Sequence, residues 1–155
     1  MKKISIITMF LVVLMLFASV VTTTAAPLLD NDERQITLSE LPAAAQQFIN
    51  KHFADELPSL VVLDKGLVSN EYDVVFESGT KLEFNGKGEW SEIKCRTSAV
   101  PSDLVPKKIA DYVAKKYPDI KIVELKREYR EWEAKLSNGL ELTFDKQFKL
   151  IDIDN

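Results

Sequence analysis

From residue 36 onward the chain alternates between two spacings of apolar side chains. After Leu41-Pro42, apolar residues fall at Ala45, Phe48, Ile49 and Phe53; after Val105-Pro106 they fall at Ile109, Tyr112, Val113 and Tyr117. Steps of three and four predict an amphipathic helix with one buried stripe in each segment. Proline sits in the first turn of both, where the missing N–H has no intrahelical partner to lose. Ser39 and Ser102 or Asp103 are the candidate N-caps. Downstream the spacing changes to two. Tyr72, Val74 and Phe76 alternate with more polar residues, as do Trp132, Ala134 and Leu136, which predicts strands with one buried face. Ser78-Gly79 and Asn138-Gly139 read as two-residue hairpin turns. Further strands are expected at Leu60–Leu63, Glu89–Lys94, Lys121–Lys126 and Phe148–Asp154.

The two stretches match in order, 72–85 against 132–145 and one helix against the other. Self-similarity of this kind predicts a tandem repeat. The expected fold class is α+β, a tandem repeat of one helix packed on a four-stranded antiparallel meander sheet. Residues 36–95 form the first copy, residues 96–155 the second, and Arg96–Val100 the linker. A single helix covers one face of its sheet, so the other face is left for solvent or a partner.

Ahead of these elements lies a segment of another kind. Lys2-Lys3 precede an apolar run from Ile4 to Val21, followed by the small residues Thr22–Ala26 and Pro27. Basic start, apolar middle and small-residue end make a secretory signal that is removed on export. The run also approaches the length of a bilayer span, but the small-residue site favours cleavage. Residues 1–26 are therefore expected to be a signal peptide and residues 27–35 a flexible tail, which puts the mature chain in the periplasm or outside the cell, off the membrane.

Composition then narrows the options. Of 155 residues, 46% are hydrophobic and 28% charged, an ordinary globular balance that excludes disorder and collagen-like repeats. Cleavage removes only Lys2 and Lys3 from the basic side, so the net charge moves from -4 to -6. An acidic chain of this kind is not expected to bind nucleic acid. Cys95 is the single cysteine, so it has no internal disulfide partner; burial or partial burial is expected for it, the alternative being a disulfide between chains.

Little in the chain suggests catalysis. His52 is the only histidine, and its pairing with Cys95 as base and nucleophile lacks any local signature. Glu83 and Glu141 lie on strand positions facing away from the helix, where they would act as acid and base only if they met in a pocket. Asp152-Ile153-Asp154-Asn155 has calcium-loop spacing without the loop's glycine or terminal Glu. Gly86-Lys87-Gly88 reads as a turn, and the acidic run Asp30–Glu33 as solvated tail. Lys107, Lys108, Lys115 and Lys116 read as a solvated helix face. No catalytic, cofactor-binding or metal-binding residue is expected. The remaining candidates are aromatic. Strand parity turns Trp90 outward together with Glu92, and Tyr129, Arg130 and Trp132 begin a strand amid charged neighbours. Large aromatics flanked by arginine are enriched at protein interfaces, so Trp90, Glu92, Tyr129, Arg130 and Trp132 are the candidate partner-binding residues; the competing and favoured reading is packing in the core or at the sheet's edge, with Trp132, the counterpart of Tyr72, covering that edge.

With these residues in place, the chain resembles the PepSY-like family, also described as β-lactamase-inhibitor-like proteins. The resemblance is carried by Leu41-Pro42 with Phe48-Ile49, the Tyr72–Phe76 strand with Gly79, Leu82-Glu83-Phe84-Asn85 and Gly88-Glu89-Trp90. Their later counterparts are Val105-Pro106, Tyr112, Tyr117, Asn138-Gly139, Leu142 and Phe144-Asp145. The resemblance implies a β-lactamase-inhibitor-protein-like arrangement in which two sheets form a concave surface that grips a protein. PepSY domains proper are associated with restraint of peptidases. Activity on a β-lactamase is not implied, because that family name rests on fold similarity. The expected function is an exported, non-enzymatic binding module, without cofactor, that docks a protein partner such as an envelope enzyme or peptidase on its open sheet face. The alternative is a small-ligand or envelope-stress sensor with a site between the two sheets.

Overall fold

The two helical stripes form as their spacing predicts. Helix α1 spans Ala43–His52 and buries Ala45 and Ile49; helix α2 spans Lys107–Lys116 and buries Ile109 and Val113. The expected serine and aspartate caps are not used. Pro42 and Pro106 are themselves the N-cap residues, with no side-chain cap, and their carbonyls accept from the Gln46 and Ala110 N–H groups. Ser39 instead belongs to a short 3-10 turn, Leu38–Glu40. There the Glu40 carboxylate accepts from the Thr37 N–H at 2.8 Å.

Nine strands follow the chain in order: β1 Glu33–Gln35, β2 Pro58–Lys65, β3 Asn70–Phe76, β4 Lys81–Asn85, β5 Trp90–Lys94, β6 Ile122–Arg127, β7 Glu131–Leu136, β8 Glu141–Asp145 and β9 Leu150–Asp154. The computed structural model describes residues 33–155. The signal peptide expected over residues 1–26, and residues 27–32 of the expected tail, lie outside that range. The last three tail residues, Glu33–Gln35, are β1, paired with Val62–Asp64 of β2. Among the described residues no helix is long and apolar enough to cross a membrane.

The expected fold class is corrected by one junction. β5 pairs with β6, matching Glu92 to Lys126, Ile93 to Leu125 and Lys94 to Glu124. The result is a single nine-stranded antiparallel sheet, in sequence order from β1 to β9, with two short helices. It is not a tandem repeat of a helix on a four-stranded sheet. The cause is backbone chemistry: two separate meanders would each expose a row of unpaired N–H and C=O groups along the facing edges. Joining them satisfies those groups, and the presumed linker takes part. The Cys95 and Val100 N–H groups donate to the Val123 and Ile122 carbonyls at 2.7 and 2.9 Å.

Both helices pack on the same face of the sheet. Phe48 of α1 meets Phe84 edge-on with ring centroids 5.7 Å apart, and Tyr112 of α2 meets Phe144 likewise at 5.6 Å. Leu82, Ile93, Leu125, Ala134 and Leu142 lie across neighbouring strands between these contacts, all without solvent exposure. One apolar core therefore runs under both helices.

The β3–β4 and β7–β8 turns also differ from expectation. In the second, Leu136 N–H donates to Leu140 O and Gly139 N–H to Leu136 O, which closes a three-residue rather than a two-residue loop. The bonds at Phe76, Gly79 and Thr80 repeat this pattern. A single left-handed residue, Gly139 at φ +96°, suffices for such a turn, whereas the two-residue type I′ turn needs two.

Candidate functional site

Cross-strand register places the polar positions of the sheet on the face away from the helices. Asp73 of β3 stands opposite Glu83 of β4, Glu83 opposite Glu92 of β5, and Glu92 opposite Lys126 of β6. The row continues through Glu133 and Thr143 to Asp152. A second row runs Lys81, Lys94, Glu124, Lys135, Glu141 and Asp154. Because β5 and β6 are joined, both rows cross the seam without interruption. No helix or other described element covers this face.

Its charges are unevenly paired. Lys81 Nζ lies 2.8 Å from Glu83 and 3.3 Å from Asp73, and Lys94 Nζ lies 2.8 Å from Glu124. Among the described residues Glu92 makes no ion pair within 4.0 Å. Partial burial, then the Glu83 and Glu124 charges, push its carboxyl above the ordinary 4.5, against the pull of Lys94 and Lys81. Asp73 and Glu133 are raised as well, again chiefly by burial. A carboxyl whose folded pKa exceeds its unfolded value holds its proton more tightly in the native state. Its ionised form therefore costs stability above that range, and the cost disappears as pH falls through it. Glu92→Gln is accordingly expected to raise Tm by about 1–3 °C at pH 7, a modest gain because solvent screens the site. Calorimetry should show that gain shrinking on acidification, as the raised carboxyl takes up its proton. A gain that grows on acidification would contradict the burial argument.

The five partner-binding candidates do not form one patch. Strand β5 carries a bulge: Glu92 matches Glu83, but Phe84 matches Trp90, which leaves Ser91 as an extra residue. One inserted residue reverses the parity, so Trp90 turns to the helix side while Glu92 stays on the open face. Trp90 then joins an aromatic run: Phe48 to Trp90 at 6.2 Å, Trp90 to Trp132 at 5.9 Å, and Trp132 to Phe148 at 5.8 Å. Arg127 covers Trp90 with its guanidinium 4.7 Å from the ring centre, and its Nη2 donates to the Trp90 carbonyl at 2.6 Å. Trp90 and Trp132 are half-buried there. Tyr129 and Arg130 occupy the loop between β6 and β7. Tyr129 is 82% exposed, with the Lys146 ammonium 4.3 Å from its ring centre. Phe148, which ends the run, carries no sequence signal beyond that of a strand start. It adopts φ +63°, which is unusual for a bulky side chain.

The candidates for chemistry stay apart. His52 Nδ1 lies 3.1 Å from Asp103 Oδ2, tying α1 to the segment before α2, and it does not pair with Cys95. Cys95 is buried, which pushes its thiol pKa up and away from the reactive thiolate. Glu83 and Glu141 both face outward as expected. They sit four strands apart, about 19 Å at ordinary strand spacing, too far to share a reacting bond. Asp152 and Asp154 lie within β9. Among the described residues no three His, Cys, Asp or Glu side chains converge as a metal would require. The site expected between two sheets has no place to form, because β5 and β6 are hydrogen-bonded neighbours. The seam bears surface pockets, one of about 330 Å³ on the open face lined by residues that include Glu83, Ser91 and Lys126.

Comparison with known proteins agrees with this architecture. The sequence pattern of the family described as "Putative beta-lactamase-inhibitor-like, PepSY-like" matches residues 70–152. A "putative periplasmic protein" of the DUF2874 family from Bacteroides vulgatus is 45% identical, with a TM-score of 0.78 over 81% of this chain and 98% of that one. A "putative calcium-regulated periplasmic protein" from Bacteroides thetaiotaomicron is 41% identical, with a TM-score of 0.78 over 80% and 98%. A "putative periplasmic protein of unknown function" from Bacteroides vulgatus is 34% identical, with a TM-score of 0.76 over 79% and 99%. No curated protein matches the chain.

Proposed function

The chain belongs to the PepSY-like family, and on that premise we propose that it is an exported binding module whose helix-free sheet face docks a protein partner with a basic surface. The observation that carries this reading is the row Asp73, Glu83 and Glu92. These three carboxylates stand side by side on adjacent strands with Lys81 as the ammonium contacting two of them. Like charges directly opposite one another destabilise a sheet, and two of the three are further burdened by burial. Lysine or arginine on a partner would relieve both costs. The family and the periplasmic relatives support export, with residues 1–26 as the cleaved signal. A partner docked there would be restrained by steric coverage of its surface.

The relative described as calcium-regulated raises a second possibility, since carboxylates are calcium ligands. The described residues offer no converging set of three, so calcium is not assigned to this face.

A photo-crosslinking residue at Thr143, on the open face, and another at Lys115, on the exposed side of α2, test the proposal in the cell envelope. A single protein adduct is expected from position 143, lost when Asp73→Lys and Glu92→Lys are combined. Adducts arising only from position 115, or equally from both, would refute docking on the open face.

A further inference from the structure

The outer edge of β9 is unpaired among the described residues, whereas the corresponding edge of β5 is covered by β6. The two edges are built alike. β5 pairs with β4 through Leu82–Ile93 and Glu83–Glu92, with one bulged residue before them; β9 pairs with β8 through Leu142–Ile153 and Thr143–Asp152, again with one bulged residue. The covered edge shows what such a strand accepts. Glu92, Ile93 and Lys94 face Lys126, Leu125 and Glu124, so opposite charges flank an aliphatic pair, and Lys94 reaches Glu124 at 2.8 Å. In the same places β9 presents Asp152, Ile153 and Asp154. Ile93 is fully buried, while Ile153 and the bulged Ile151 are 45% and 54% exposed.

We propose that the outer edge of β9 is a strand-addition site for an extended basic segment of a partner protein, with Lys or Arg against Asp152 and Asp154 and an aliphatic side chain against Ile153. Backbone hydrogen bonds along the edge supply affinity, and the alternating side chains supply selectivity. A second copy of this chain fits poorly. Antiparallel self-pairing centred on Ile153 sets Asp152 against Asp154 twice, and like charges opposite each other destabilise the ladder. The other edge that is unpaired among the described residues, β1, offers Glu33, Arg34 and Gln35, with no aliphatic residue at its centre. Asp152 and Asp154 end the two open-face rows, but the proposal rests on the backbone edge of β9 and not on Asp73, Glu83 and Glu92, and it stands or falls without the open-face reading.

The probe is a labelled peptide copying residues 121–127 with Lys in place of Glu124, namely Lys-Ile-Val-Lys-Leu-Lys-Arg. It is compared with the unaltered sequence, which sets Glu against Asp154. By fluorescence anisotropy the Lys peptide is expected to bind at least about fivefold more tightly, from the change of one like-charged pair to an opposite one. Its affinity is expected to fall with salt. Combining Asp152→Lys with Asp154→Lys should reverse the preference between the two peptides. Amide exchange should slow on binding at residues 150–154. Equal affinity for the two peptides, indifference to the charge reversal, or protection confined to other strands would overturn the proposal. So would no binding of the Lys peptide, which would leave the two aspartates as guards against edge aggregation. Self-association in sedimentation that Ile153→Lys abolishes would overturn it too, because the edge would then belong to a second copy.

Discussion

Phe144→Ala is expected to destabilise the protein by about 3–5 kcal/mol, as truncation of a fully buried ring generally does. Phe144 has no exposed surface, packs edge-on against Tyr112 of α2, and stands opposite Trp132 on β7. Its loss leaves a cavity under α2 that the sheet cannot close, because the strands are held at fixed spacing by their ladders. For a domain of this size the midpoint should fall by about 10–20 °C. The informative part is where the loss is felt. With β5 paired to β6 and one core beneath both helices, the first half has no independent edge to retreat to. Calorimetry should show one transition, and amide exchange should speed up equally in β3 and β7. Two resolved transitions, or β3 amides that keep their protection, would mean that the halves fold separately despite the shared sheet.

The second large effect is expected at Gly88, in the turn between β4 and β5. Gly88 is buried at φ +78°, and a Cβ there would lie 2.8 Å from Pro42 Cβ and 2.9 Å from the Ala45 backbone nitrogen. Gly88→Ala combines a left-handed backbone, about 1–3 kcal/mol, with forced separation of the turn from the start of α1, about 1–3 kcal/mol more. Gly139 separates the two contributions. It too is left-handed, but the nearest atom to its Cβ would be Asn155 Oδ1 at 3.9 Å. Urea unfolding should therefore show Gly139→Ala with the backbone cost alone and Gly88→Ala with clearly more. Equal losses would mean that the turn does not depend on its contact with α1. The same contact bears on the aromatic run, since Gly88 lies two residues before Trp90, and Trp90 fluorescence should shift in the Gly88 variant.

Much of the architecture was legible in the linear pattern. The stripes at Ala45, Phe48 and Ile49 and at Ile109, Tyr112 and Val113 marked both helices, because helical period is a local property of backbone geometry. Alternation at Tyr72, Val74 and Phe76 and at Trp132, Ala134 and Leu136 marked the strands and correctly placed Glu83 and Glu141 on the outer face. Trp90 shows where such reasoning stops. Parity counting sent it outward with Glu92, and a single bulged residue, Ser91, reversed the direction of everything before it. Nothing in the residue type of Ser91 announces a bulge, which arises from how two strands share their hydrogen bonds.

The sequence by itself thus determined both helices and the strands other than β1, most of the side chains that form the core, and that the chain carries one histidine and one cysteine. Tertiary structure alone decided that β5 and β6 join into one sheet, that the open face is continuous across that seam, and that among the described residues β9 has no neighbour on its outer side. The reason is physical. Side chains write periodicity into the sequence, but strand edges associate through backbone N–H and C=O groups that every non-proline residue carries alike. Which edge meets which is a long-range choice with little local signature, and both proposed binding surfaces rest on it.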